Sequence, residues 1–152
     1  WTRRVVELQG TSFAAQREVL YGLLPRVKRA CIDATGLGMQ LAEEAQRKFA
    51  HVEPVTFTEA VKSDLAKTLR RSFEDRTVRI PISNEVREDL HSVRRVVTSA
   101  GNIRFDAERD SAGHADRFWA LALATHAQSS GAYAPYESMR VSRDRWTPQN
   151  RR

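Results

Sequence analysis

Two carboxylates stand in local sequences that suit metal chemistry. Asp33 ends the apolar run Ala30-Cys31-Ile32 and is followed at once by Ala34-Thr35-Gly36-Leu37-Gly38. This spacing predicts an acid at the carboxyl end of a buried strand, with glycines that let the chain turn sharply into a helix. Asp116 lies in Gly113-His114-Ala115-Asp116-Arg117-Phe118-Trp119-Ala120-Leu121-Ala122-Leu123-Ala124, which predicts an acid in the first turn of a packed helix. Carboxylates far apart in sequence but held on rigid elements are what a hard divalent cation needs, and they point to metal-dependent nuclease chemistry. His114 is a further candidate ligand, although a lone histidine near a helix start is more often solvated or capping. The same acids also have plain structural uses. Asp33 can cap the helix after it, and Asp116 can stabilise its own helix through the dipole. A second chemical reading gives the Gly36–Gly38 turn a phosphate to cradle at a helix N-terminus. That signal is weak, because the longer dinucleotide fingerprint and the lysine of a phosphate-binding loop are both missing.

The elements that must position these residues alternate along the chain. Arg3 to Leu8 reads as a short strand, and Ser12 as the N-cap of a helix through Leu24, stopped by Pro25. Arg29 to Asp33 is the second strand. Leu37, Leu41, Ala45 and Phe49 form an i, i+4 series that predicts a helix with one narrow apolar stripe. Pro54 to Phe57 is a third strand, after which Thr56 or Thr58 caps a helix bearing Val61, Leu65, Leu69 and Phe73. Thr77 to Ile82 reads as an edge strand because Pro81 interrupts it. Ser83 caps a brief helix through Leu90. Strands near Arg94 to Thr98 and Asn102 to Asp106 form a hairpin around Ser99-Ala100-Gly101. A polar linker, Ala107 to Gly113, leads to a last helix from about His114 to Gln128, whose Phe118, Trp119, Leu121 and Leu123 are core positions. Strand-helix alternation argues for an α/β fold with a partly parallel sheet flanked by helices.

Composition bounds the rest. The 152 residues suffice for one domain with a core; 41% are hydrophobic and 29% charged, a globular balance. The net charge of +6 is a mild pointer to nucleic acid, carried largely by arginines suited to phosphate. Arg70, Arg71, Arg94, Arg95 and Arg104 are the candidate DNA contacts, with a plain charged outer face as the alternative. Cys31 is the single cysteine, so no intrachain disulfide forms, and it reads as a small core residue rather than a nucleophile. No apolar run is long enough to span a bilayer, and nothing resembles a secretory signal. Residues 130–152 lack apolar periodicity and are expected to form an extended or disordered basic tail after a domain over residues 1–129. The chain opens on Trp1 rather than methionine, which is expected of a piece of a longer protein.

Three segments together resemble a known family. Ile32 to Gly38, Phe57 to Leu69 with Lys62, and the Gly113 to Ala124 run look like the C-terminal nuclease domain of the phage large terminase, in the version found in Mu-like phages and prophages. The similarity runs from about Arg3 to Gln128, and the His-Ala-Asp-Arg-Phe-Trp-Ala run is its most specific part. The resemblance implies an RNase H-like fold and an endonuclease that cuts duplex DNA with two magnesium or manganese ions. It matches Asp33 to the family's second catalytic carboxylate and Asp116 to the third, and sets His114 near a histidine close to the metals in some relatives. It also implies an ATPase domain, a small terminase subunit and a portal as partners, no membrane, and work in the bacterial host cytoplasm during DNA packaging.

One departure stands out. The family carries its first catalytic aspartate on an opening strand that has no counterpart here, and the position of Glu7 does not match it. The first two strands and the ATPase domain are therefore expected to precede Trp1, leaving an incomplete metal site that cleaves poorly or not at all. A non-catalytic RNase H-like module that binds DNA or packaging partners is the alternative.

Overall fold

A computed structural model of the chain describes residues 1–99, 101, 103–107 and 115–129. The element order is α1 (Phe13–Leu23), β1 (Ala30–Asp33), α2 (Gly38–Lys48), β2 (Val52–Val55), α3 (Glu59–Glu74), α4 (Asn84–Ser92), β3 (Val93–Val97), β4 (Ile103–Ala107) and α5 (Asp116–Ser129), with a 3-10 turn at Leu24–Arg26 after α1. The mixed α/β reading holds. Three helices start where a hydroxyl predicts it. Ser12, Thr58 and Ser83 accept the backbone N–H of Ala15, Val61 and Val86, so one otherwise orphaned donor per helix is satisfied.

β1 and β2 pair in parallel from Ala30↔Val52 to Asp33↔Val55, joined through α2. β3 and β4 form the separate antiparallel hairpin. Side chains alternate across a strand, so the parallel pair divides the interior. On one side Ala30, Ile32 and Val52 pack with Leu24, Ala45 and Phe49. On the other, Cys31 and Val55 pack with Leu65, Ala66 and Leu69 of α3 and with Phe118, Ala122 and Leu123 of α5. α3 behaves as its spacing predicts, with Leu65 and Leu69 buried and Val61 and Phe73 at the margin.

Several expectations need correction. Residues 3–8 and 77–82 are not strands. The adjoining Trp1 and Thr2 meet the second segment through the hydrogen bond from Thr2 N–H to the Arg79 carbonyl (2.9 Å) and through Arg79 lying over the Trp1 ring, which is too little for a ladder. The third strand sits two residues earlier than expected, at Val52–Val55. The α2 stripe also shifts. Leu37 precedes the helix and is 96% exposed, while Ala42 and Ala45 are fully buried. Small residues there let the helix lie close to β1 and β2. His114, most of the linker after β4, and residues 130–152 lie outside the described residues. Among the described residues no helix is long and apolar enough to cross a membrane.

Candidate metal centre at the strand ends

Asp33 is the last residue of β1, and the chain beyond it is tightly held. Ala34 N–H extends the parallel ladder to the Val55 carbonyl at 2.9 Å, and Thr35 Oγ1 accepts Phe57 N–H at 2.9 Å. Asp33 Oδ1 accepts Thr35 N–H at 2.9 Å, an Asx turn that fixes the carboxylate over its own loop. Asp33 therefore does not cap α2, whose N-cap Leu37 makes no side-chain bond. Gly36 takes φ +57°, and a β-carbon at Gly38 would collide with the Asp33 carbonyl oxygen. Close approach of strand end and helix start thus accounts for the second glycine without any phosphate.

Asp116 opens α5 and is exposed. The course of α5 relates it to Asp33. Near its end, His126 Nε2 lies 3.8 Å from Glu53 Oε1 in the first half of β2. Nearer its start, the Trp119 ring packs on Phe57, just past the carboxyl end of β2, with centroids 5.3 Å apart. The helix therefore runs antiparallel to β1 and β2. Asp116 lies three residues, about one turn or ~4.5 Å, before Trp119. Its end of α5 is the end of the sheet that Asp33 occupies. Alternation also places Asp33 on the same face of β1 as Cys31, the face that α5 covers. The two predicted carboxylates thus share one end and one side of the sheet.

Arg117 anchors the start of α5. Its guanidinium forks onto Glu7, Nε to Oε1 at 2.8 Å and Nη2 to Oε2 at 2.6 Å, and Nη1 reaches Asp89 Oδ1 at 3.4 Å. Its backbone N–H donates to Asp89 Oδ2 at 3.0 Å, so α4 supplies the cap that α5 lacks in its own sequence. The hydrogen bond from Arg117 holds Glu7 below the usual carboxylate range, and Arg117 itself is pushed further up. Ala115, buried just before Asp116, adopts φ +56°, a left-handed conformation that a residue with a β-carbon enters at some cost. Sequence reasoning missed this clamp because its acids lie 28 and 110 positions away from Arg117. Arg117→Gln is expected to lower stability by about 1–2 kcal/mol, chiefly through the shielded Asp89 limb, since exposed pairs such as that with Glu7 contribute little. Urea denaturation measures this, and an unchanged midpoint would show the clamp to be incidental.

The remaining predicted residues are dispersed. Lys62 Nζ lies over the Trp119 ring, 5.6 Å from its centroid. Arg70 and Arg71 are exposed near the end of α3, Arg70 paired with Glu74 at 2.8 Å. In the hairpin, Val96 pairs with Arg104 and Arg95 with Phe105. Arg94 and Arg104 therefore share one face and Arg95 takes the other. Arg104 and Lys67 line an open groove between α3 and the hairpin, which Glu59 and Asp64 also line.

The donor chemistry at the strand ends, two carboxylates with one already oriented by an amide, fits a hard divalent cation. Among the described residues no third His, Cys, Asp or Glu joins Asp33 and Asp116 in a cluster close enough to share an ion.

Comparison with known proteins bears on this arrangement. The family model described as the terminase RNaseH-like domain matches residues 1–128. Among solved structures, the chain is similar to the large terminase nuclease from thermophilic phage G20c crystallised with cobalt. The TM-score is 0.65 and the identity 26%, over 78% of this chain and 64% of that one. The magnesium-bound crystal structure of the same nuclease gives 0.64 and 26% over the same shares. A further crystal structure of it gives 0.64 and 26% over 86% of this chain and 66% of that one. The chain thus spans about 64% of the length of the metal-bound structures it matches. No curated protein matches it.

Proposed function

The chain belongs to the terminase RNase H-like domain family, and from that premise we propose that Asp33 and Asp116 are metal-binding carboxylates of a DNA endonuclease. The observation that carries this reading is the antiparallel course of α5, which brings the helix start bearing Asp116 to the end and face of the sheet where Asp33 stands. The related nuclease was crystallised with cobalt and with magnesium, which supports divalent-cation use.

Magnesium or manganese is the expected pair of ions, supplying charge stabilisation at the phosphate and an acidified water for attack. The protein's own part is positional. The Asx turn to Thr35 restrains Asp33, and the Arg117 clamp to Asp89 and Glu7 sets the first turn of α5 and so the place of Asp116. Such a site acts on the phosphodiester backbone and does not read bases. Arg70, Arg71, Arg94, Arg95 and Arg104 are the proposed phosphate contacts, dispersed as sequence-independent binding allows. We place the activity in the bacterial host cytoplasm during packaging, in a whole protein that carries an ATPase domain and works with a small subunit and a portal. Residues 1–129 form the nuclease domain in this reading, residues 130–152 an appended basic segment, and His114 is a candidate further metal ligand.

Calorimetric titration with manganese tests the proposal. Binding is expected in the wild-type chain, and lost or weakened at least tenfold by Asp33→Asn, which keeps the shape but removes the charge. Full-length protein that binds no divalent ion, or that binds it equally well with Asp33→Asn, would leave a non-catalytic DNA- or partner-binding module as the better reading.

A further inference from the structure

Two residues before Asp33, on the same face of the parallel pair, side chains from three elements converge. Cys31 of β1, Glu53 of β2 and His126 of α5 each offer one ligand atom, and these atoms lie within 4.8 Å of one another. The Cys31 thiol donates to Glu53 Oε2 at 3.6 Å, and His126 Nε2 stands 3.8 Å from Glu53 Oε1, beyond hydrogen-bond reach. All three are half-buried.

We propose that Cys31, Glu53 and His126 form a second metal site, selective for a borderline-soft divalent ion of the zinc class and separate from the carboxylates at the strand ends. The convergence of a thiol, a carboxylate and an imidazole within 4.8 Å carries the assignment. Zinc binds sulfur at about 2.3 Å and nitrogen or oxygen at about 2.0–2.2 Å, so a tetrahedral centre holds its sulfur and oxygen about 3.6 Å apart and its nitrogen and oxygen about 3.4 Å apart. In the chain the thiol stands 3.6 Å from Oε2 and the imidazole 3.8 Å from Oε1, so a rotation of the Glu53 carboxylate that turns one oxygen to both is required to close these edges. Sulfur, imidazole and carboxylate together favour zinc over magnesium or calcium, which prefer oxygen alone. Water completes the fourth position.

Arg29 is the competing group, ion-paired with Glu53 Oε2. It shares Oε2 with the Cys31 thiol, so the oxygen that a metal would take is Oε1, which is turned toward His126. The thiolate is the metal ligand, so metal entry displaces the thiol proton to solvent. The role is structural. An ion bonded to β1, β2 and α5 at once fastens the far end of the helix whose near end carries Asp116.

Cobalt is the probe, because thiolate ligation gives near-ultraviolet charge-transfer absorption that oxygen-only sites do not. Wild-type chain titrated with cobalt is expected to develop this band at one equivalent. Cys31→Ser should abolish it, His126→Gln and Glu53→Gln should each weaken at least tenfold the cobalt affinity read from this band, and Asp33→Asn should leave the band and the affinity read from it unchanged. Zinc should also raise the melting midpoint of wild type and not of His126→Gln, a readout that does not need the cysteine variant to fold. Absence of the band in folded wild type, or a band of equal affinity in His126→Gln and Glu53→Gln, overturns the site. Because Asp33→Asn is the control, failure here and failure of the strand-end carboxylates are separately visible.

Discussion

Asp116→Ala in the full-length protein is expected to reduce magnesium- or manganese-dependent cleavage of duplex DNA by more than about a hundredfold. Partners that merely orient a metal ligand cost about 10–100-fold when removed, so loss of a ligand itself should exceed that. Asp116 is exposed on the first turn of α5, and the helix start is set by Arg117 and Asp89 instead. Its removal should therefore leave the melting midpoint close to wild type. The measurement is conversion of supercoiled plasmid to nicked and linear product, with chelator as the blank. Cleavage that survives this substitution, or survives chelator, would sink the two-carboxylate reading. A fall in activity matched by a fall in stability would assign Asp116 to the fold alone.

Gly38→Ala should damage both fold and activity. The added β-carbon meets the backbone oxygen of Asp33, an atom on a paired strand that cannot swing aside as a flexible side chain would. Relief requires α2 and the end of β1 to separate, with a stability loss of about 3 kcal/mol or more, at the upper range for overpacking. Whatever folds should carry Asp33 displaced, and a shift near 1 Å at a reacting centre costs on the order of 10²-fold in rate. Gly36→Ala is the matched control. It stands at φ +57°, and a β-carbon added there meets nothing within 4 Å, so it should cost only about 1 kcal/mol for the left-handed backbone. Equal effects at the two glycines would show that conformation, not contact, governs this turn.

The features legible in the sequence are those fixed by neighbours along the chain. Ser12, Thr58 and Ser83 cap their helices because a hydroxyl and an amide three residues on suffice. β1 is marked by a compact apolar run ended by Asp33 and glycines. Properties that depend on distant partners are hidden. Residues 3–8 have strand composition, yet a strand exists only through pairing, and the neighbouring Thr2 makes one backbone hydrogen bond to Arg79. The Leu37 series runs one step past the true start of α2, since periodicity alone does not say which residue is the cap. At the strand ends, Asp33 and Asp116 are recognisable from their local runs, whereas the Arg117 clamp and the Cys31, Glu53 and His126 group require the fold. By its neighbours in sequence Cys31 is a small core residue, and nothing nearby marks Glu53 or His126 as its companions.

The Arg117 fork onto Glu7 joins positions 110 residues apart, and α5 closes over strands laid down some eighty positions earlier. Contacts so remote in sequence form late, after local helices and the β1-α2-β2 unit. During synthesis the chain therefore presents Asp33 long before it can present Asp116. On the proposed chemistry, a nascent or partly unfolded molecule holds an incomplete centre, and cutting power arrives when α5 docks.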